Sequence, residues 1–220
     1  MSQTDPLELT AALVRCPSVT PEDGGALDVV QDVLQAAGFA CTRVDRGGIG
    51  NLFARWGDKG HARTFGFNGH TDVVPLGKRA DWTADPFGAE IRDGFLYGRG
   101  ATDMKSGVAA FAAAAADFVT ETPPEGAVIL AITGDEEGKA INGTVKMLGW
   151  LDGRAEKLGV CLVGEPTNPT KLGEAIKIGR RGSITGELRV AGVQGHVAYP
   201  DLADNPVPRM LRLLSALTAA

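Results

Sequence analysis

The sequence predicts an α/β fold, a mixed open sheet with helices on both faces, on three observations. Short apolar or β-branched segments alternate with helix-length stretches as far as about residue 165. Two of them, AVILAIT (127–133) and KLGVCLVG (157–164), carry the apolar runs expected of buried strands. The pattern changes after about Gly179: GSITGELRVAG (182–192) alternates like a half-exposed strand, then a loop and one helix follow. One strand, one loop and one helix cannot make a core alone, so this stretch either packs on the first domain or opens a second. The expected division is 1–179 and 180–220.

DPLELTAALVRC (5–16) has Asp5 as a cap, Pro6 at the first helical position and apolar Leu9, Leu13 and Val14, which predicts a helix. ALDVVQDVLQAAG (26–38) is a second helix that ends at Gly38. Strands are expected at FACTRV (39–44), NLFARW (51–56) and TFGFNGH (64–70). The Gly-, Pro- and Asp-rich stretch 75–93 reads as a long excursion with turns, and excursions of that length are usually functional. A helix from about Asp103 to Val119, the strand 127–133, a helix around GTVKMLGWL (143–151) and the strand in 157–164 complete the first domain. The last expected helix lies in NPVPRMLRLLSALTAA (205–220).

Composition excludes several functions. At 220 residues, 44% hydrophobic and 22% charged, the chain can bury a real core. The formal charge of −5 is spread along the chain, and no basic block with interleaved aromatics offers a grip on nucleic acid. The start MSQTDPLELT lacks a basic region followed by an apolar one, and GVAAFAAAAADFV (107–119) is too short and Ala-rich to span a bilayer. A cytoplasmic location is expected, with no membrane partner. Cys16, Cys41 and Cys161 are odd in number and far apart, which fits reduced thiols rather than a disulfide framework or a thiolate site. Any metal must therefore use His and carboxylates.

In open α/β sheets ligands sit beyond the carboxyl ends of the strands. One strand ends at His70, the next runs into Asp135, Glu136 and Glu137, a third ends at Glu165, and Asp103 stands at the mouth of a helix. One imidazole with several carboxylates suits zinc, cobalt or manganese, and so many acids need a cation among them. Asp72, on the same strand face as His70, is placed to accept the other ring N–H and fix the tautomer. Glu136 and Glu137 cannot both point the same way, so one can bind metal while the other serves as general base. Each residue also has an ordinary structural reading: a satisfied histidine, an acid pair at a helix start, a turn before Pro166, an N-cap at Asp103. Their coincidence at strand ends favours the site.

GHTDVVPLG (69–77), DWTADPFGAEIRDGFLYGRGATDMKSGVAA (81–110), ITGDEEGKAINGT (132–144), VGEPT (163–167) and GRRGSITGELRVAGVQGHVAYPDLADNPV (179–207) together resemble the co-catalytic zinc metallohydrolases related to aminoacylase and carboxypeptidase G. The resemblance implies a zinc-exopeptidase-like catalytic domain, followed by the beginning of a smaller α+β lid and dimerisation domain. It implies two zinc ions per site, with cobalt or manganese as substitutes: His70 and Glu165 on one, Asp103 bridging, Glu137 on the second. Glu136 becomes the base, and the Asp103–Met104 peptide is expected to be cis. His196 is expected to stabilise the oxyanion across a homodimer interface, with Arg180, Ser183 and Tyr199 on the carboxylates of a small anionic N-acyl amino acid. Arg is the natural bidentate clamp for such groups.

Two small departures, Ser106 where relatives usually have Gly and Gly134 where Ser is common, carry little consequence. A larger one is the histidine count, His61, His70 and His196 only, which leaves the second metal without an imidazole. The resemblance thus implies the N-terminal portion of a longer enzyme, impaired in turnover as it stands. Other readings are a related deacylase and a metal-binding relative without catalysis.

Overall fold

The computed structural model describes residues 4–179, 182 and 184–219. They form two compact units, Met1–Ile176 and Lys177–Ala220.

The first unit opens with α1 (Pro6–Arg15), whose first turn is closed by the Asp5 carboxylate accepting from the Leu7 amide at 2.8 Å. Helix α2 (Ala26–Ala36) follows, and Gly38 at φ 88° turns the chain into β1 (Ala40–Arg43). Strands β2 (Leu52–Trp56), β3 (Thr64–His70), β6 (Ala127–Thr133) and β7 (Val160–Val163) complete a five-stranded sheet in the order β1-β2-β6-β3-β7. β1 and β2 run antiparallel, as do β2 and β6, whereas β6, β3 and β7 are parallel. The sheet is mixed, as the sequence predicts.

Both faces are covered. On one, Leu13, Leu27, Leu34, Val108 and Ala112 of α1, α2 and α3 (Ser106–Glu121) pack on Leu52, Ala54, Phe67, Leu130 and Ile132. Alanines on α3 let that helix approach the sheet closely. On the other, Met147 and Leu151 of α4 (Thr144–Asp152) cover Phe53, Ile129 and Ala131. β6 is buried along its whole length, which explains its unbroken apolar run. Each Leu or Ile placed there contributes roughly 1.5–3 kcal/mol.

Three expectations change. β7 is not buried: Val160, Leu162 and Val163 are about half exposed, because it is the sheet's edge and no described helix lies over it. The excursion 75–93 runs into a hairpin, β4 (Glu90–Arg92) and β5 (Phe95–Tyr97), closed by Asp93 at φ 54° and Gly94 at φ 80°. Asp-Gly between alternating residues is the signal for such a two-residue turn, and it was legible in the sequence. Finally, the described residues of 182–192 form no strand, and Ile184 is fully exposed. A strand needs a ladder partner, and none is paired with it among the described residues.

In the second unit, Val193 and Asp204 pair across a short bridge, a 3₁₀ turn spans Pro200–Leu202, and α5 (Val207–Thr218) follows. Arg209 on α5 bonds the Ala191 carbonyl at 2.7 Å and holds that helix against the loop before it.

Candidate metal centre

The parallel trio β6, β3 and β7 delivers its carboxyl ends to one rim of the sheet. His70 is the last residue of β3 and is buried; its Nδ1 faces the Asp72 backbone carbonyl at 3.0 Å and the Asp72 carboxylate at 3.4 Å. Two contacts from one residue fix the ring and direct Nε2 outward. Nε2 is itself buried and makes no hydrogen bond. It lies 3.2 Å from Asp103 Oδ1 and 3.9 Å from Glu136 Oε2. One ligand atom each from His70, Asp103 and Glu165 fall within 4.8 Å of one another, the one such group among the described residues. A buried imidazole nitrogen that makes no hydrogen bond yet faces two carboxylates within 4 Å fits a divalent cation.

Local structure explains how Asp103 reaches this rim. It lies in a wide, irregular turn, Ala101–Lys105, with φ −118° and ψ 102° at Asp103 and a cis peptide bond to Met104. Helix α3 begins only at Ser106, so Asp103 is not its N-cap; its extended backbone carries the carboxylate out of the helix instead. Met104 is buried beneath it. A Cβ on Gly69 would stand 2.9 Å from the Met104 methyl, and one on Gly164 would stand 2.6 Å from that methyl and 2.7 Å from the Phe67 ring. The missing side chains at the ends of β3 and β7 therefore make the socket that seats Met104, with Asp103 above it and Glu165 next to Gly164. Sequence reasoning found the acids and missed this socket, although a glycine directly before His70 and another directly before Glu165 were its signal.

Asp72 does more than orient His70. Its two carboxylate oxygens accept from the amides of Glu136 at 3.2 Å and Glu137 at 3.0 Å, which ties the acid-bearing turn after β6 to the strand end of β3. Asp135, also buried, accepts from the amides of Lys139, Ile141 and Asn142 and closes the same turn from inside. Although its own burial works against it, these amides hold its carboxyl below the usual carboxylate range.

The electrostatics follow from crowding. Burial opposes a charge on His70, but the hydrogen bonds and charge of Asp72, with Glu136, outweigh it and push the ring up to about 9. Glu137 is raised by burial first, then by Asp103, Glu136 and Asp72, with His70 opposing. Lys105 is drawn down to about 8 by burial, against the pull of Cys16, Asp23 and Asp72.

The other expected residues are placed as follows. His196 and Tyr199 belong to the second unit, with ring centroids 6.0 Å apart and the His196 Nδ1 accepting from the Ala198 amide at 3.1 Å. Arg180 and Ser183 lie outside the described residues. His61 sits in an exposed turn.

An α/β sheet whose parallel strand ends gather one imidazole and several acids defines a site suited to a divalent metal. Residues 66–218 match peptidase family M20/M25/M40, and the chain belongs to that family. Membership implies a divalent metal. Among its relatives, the succinyl-diaminopimelate desuccinylase of Ruegeria pomeroyi is 68% identical over 215 residues, covering 98% of this chain and 57% of that protein. Succinyl-diaminopimelate desuccinylase 1 of a Ruegeria species is 66% identical over 217 residues, covering 99% of this chain and 57% of its own length. The chain thus spans 57% of the length of these relatives. Human carnosine dipeptidase 1 superposes with a TM-score of 0.63 at 26% identity over 74% of this chain and 38% of its own. An M20 family metallo-carboxypeptidase from Sulfolobus solfataricus, at 20% identity, shares the fold with a TM-score of 0.61 over 74% of this chain and 37% of its own. No described helix is long and apolar enough to cross a membrane.

Proposed function

We propose that the chain carries the metal-binding half of an amide hydrolase that converts N-succinyl-LL-2,6-diaminopimelate and water to succinate and LL-2,6-diaminopimelate, a step of lysine and diaminopimelate synthesis. The observation that carries the chemistry is His70 Nε2, buried without a hydrogen bond, in a group where His70, Asp103 and Glu165 bring ligand atoms within 4.8 Å of one another. The acyl group is inferred from the names of relatives 66% and 68% identical to this chain.

In this reading His70, Asp103, Glu165 and Glu137 would hold zinc, His70 and Glu165 serving one ion, Glu137 a second, with Asp103 contributing to both. Cobalt and manganese suit the same donors. Zinc bound there supplies Lewis-acid polarisation of the scissile carbonyl and a lowered pKa for water. Glu136, with Oε2 3.9 Å from His70 Nε2 and its amide held by Asp72, takes the proton of the attacking water. As the C–N bond breaks, Glu136 returns that proton to the departing amine, so the carboxylate is regenerated in each turnover. The amides of Glu136 and Glu137 both bond Asp72, which fixes the backbone that carries the two side chains. His196 is assigned to the oxyanion, and Arg180, Ser183 and Tyr199 to the substrate carboxylates. The functional form is a cytoplasmic homodimer paired through the second unit, acting on a small anionic substrate, without nucleic acid or membrane.

In an active full-length desuccinylase carrying this sequence as its N-terminal part, Glu136→Gln should lower kcat about 10²–10⁴-fold while zinc binding survives. Unchanged turnover removes Glu136 as the base. Comparison of N-succinyl with N-acetyl substrates separates the desuccinylase from a related deacylase: faster release of acetate overturns the acyl assignment.

A further inference from the structure

Lys105 is the largest fully buried side chain among the described residues, and the reaction above gives it no work. Burying an ammonium costs far more than burying a methionine of similar length, so lysine here needs a compensating task. Its surroundings supply one. Nζ donates to the Cys16 carbonyl at 2.8 Å, and the same carbonyl accepts from the Ser18 amide at 2.8 Å. Ser18, fully buried, donates through Oγ to the Thr71 carbonyl at 2.6 Å, and its own carbonyl accepts from the Val73 amide at 2.9 Å. The Thr20 amide then donates to the Val73 carbonyl at 3.0 Å. The residue between Thr71 and Val73 is Asp72, which orients His70 and holds the Glu136–Glu137 turn.

Lys105 thus stands at one end of a chain of bonds whose other end is the backbone of Thr71 and Val73, on either side of Asp72, and Lys105 is two residues from Asp103. Its stem also packs where Gly100 leaves room: a Cβ on Gly100 would lie 2.6 Å from Val73 Cγ1 and 3.1 Å from Lys105 Cδ. Resting on the metal reading above, we propose that Lys105 is a positioning residue: through Cys16 and Ser18 it clamps the Asp103 turn to the Asp72 segment and so sets the spacing between Asp103 and His70. It touches neither substrate nor metal. Its effect is felt as metal affinity and ligand-field geometry.

The test measures zinc affinity of this chain at pH 7 by competition with a chromophoric chelator, and records the visible spectrum with cobalt(II) in place of zinc. Lys105→Met keeps the length and apolar packing and removes the donor. It should weaken zinc about tenfold or more and alter the cobalt bands, while far-UV circular dichroism of the metal-free chain is retained. Ser18→Ala removes the clamp's side-chain link to the Thr71 carbonyl without touching a charge and should weaken zinc several-fold. The double variant should lose less than the product of the two effects, because one clamp is broken twice. Zinc affinity of Lys105→Met within twofold of the parent, with unaltered cobalt bands, overturns the clamp. Should Lys105→Met fail to fold, unchanged affinity in Ser18→Ala overturns it alone. If the parent chain binds no zinc, the metal centre itself is refuted and the clamp with it.

Discussion

At His70 two influences oppose each other: burial strips the ring of its proton, and Asp72 with Glu136 returns it, leaving a pKa of about 9 against the ordinary 6.5. The metal-free chain therefore gains stability from the protonated ring, fully present below pH 6.5 and lost as pH rises through 9, up to ~3 kcal/mol. Thermal melting of the metal-free chain should show a lower Tm at pH 9 than at pH 6. Zinc competes with that proton for Nε2, so zinc affinity should move the other way and strengthen by about tenfold per pH unit over the same window. Equal melting temperatures at the two pH values would remove the raised imidazole. His70 was legible in the sequence because a lone histidine at a strand's end followed two residues later by Asp is a compact pattern. That Asp72 spends both carboxylate oxygens on the next strand's turn was not, since the contact joins residues 64 and 65 positions apart.

Among the elements, strands were read well where burial writes itself into composition, as in β6, and poorly where it does not. β7 shows the limit: Val160, Cys161, Leu162 and Val163 carry the hydropathy of a covered strand yet occupy an edge, a distinction set by neighbours and not by the segment itself. The start of α3 shows another, since the extended backbone at Asp103 leaves the helix to begin at Ser106. The end of β7 carries a prediction of its own. Gly164→Ala places a methyl against the Met104 methyl and the Phe67 ring, which can relieve the clash only by moving Met104 or the strand end. Either motion displaces Asp103 or Glu165. The variant should lose about 1–3 kcal/mol in denaturant unfolding and about tenfold in zinc affinity by chelator competition. A variant with parent-like affinity would show that the socket does not set the ligands.

For the whole molecule, the rule that ligands gather beyond the carboxyl ends of parallel strands located the rim from sequence alone, because strand ends can be read without knowing strand order. The order itself, β1-β2-β6-β3-β7, could not be read, because it depends on pairings between distant segments. That order has a consequence for handling the protein. With β7 last among the described strands, one side of Val160–Val163 has no strand partner among the described residues and is flanked by apolar side chains, and nearby Phe65 and Phe118 add apolar surface. Such a border is a template on which another extended peptide can grow the sheet. Light scattering of the isolated chain should therefore show a mean mass that climbs with concentration, and Val160→Lys together with Leu162→Lys should flatten the climb; a mass independent of concentration in the parent would mean the border is inert. The same stickiness sets the practical ceiling on how concentrated a metal titration of this chain can be.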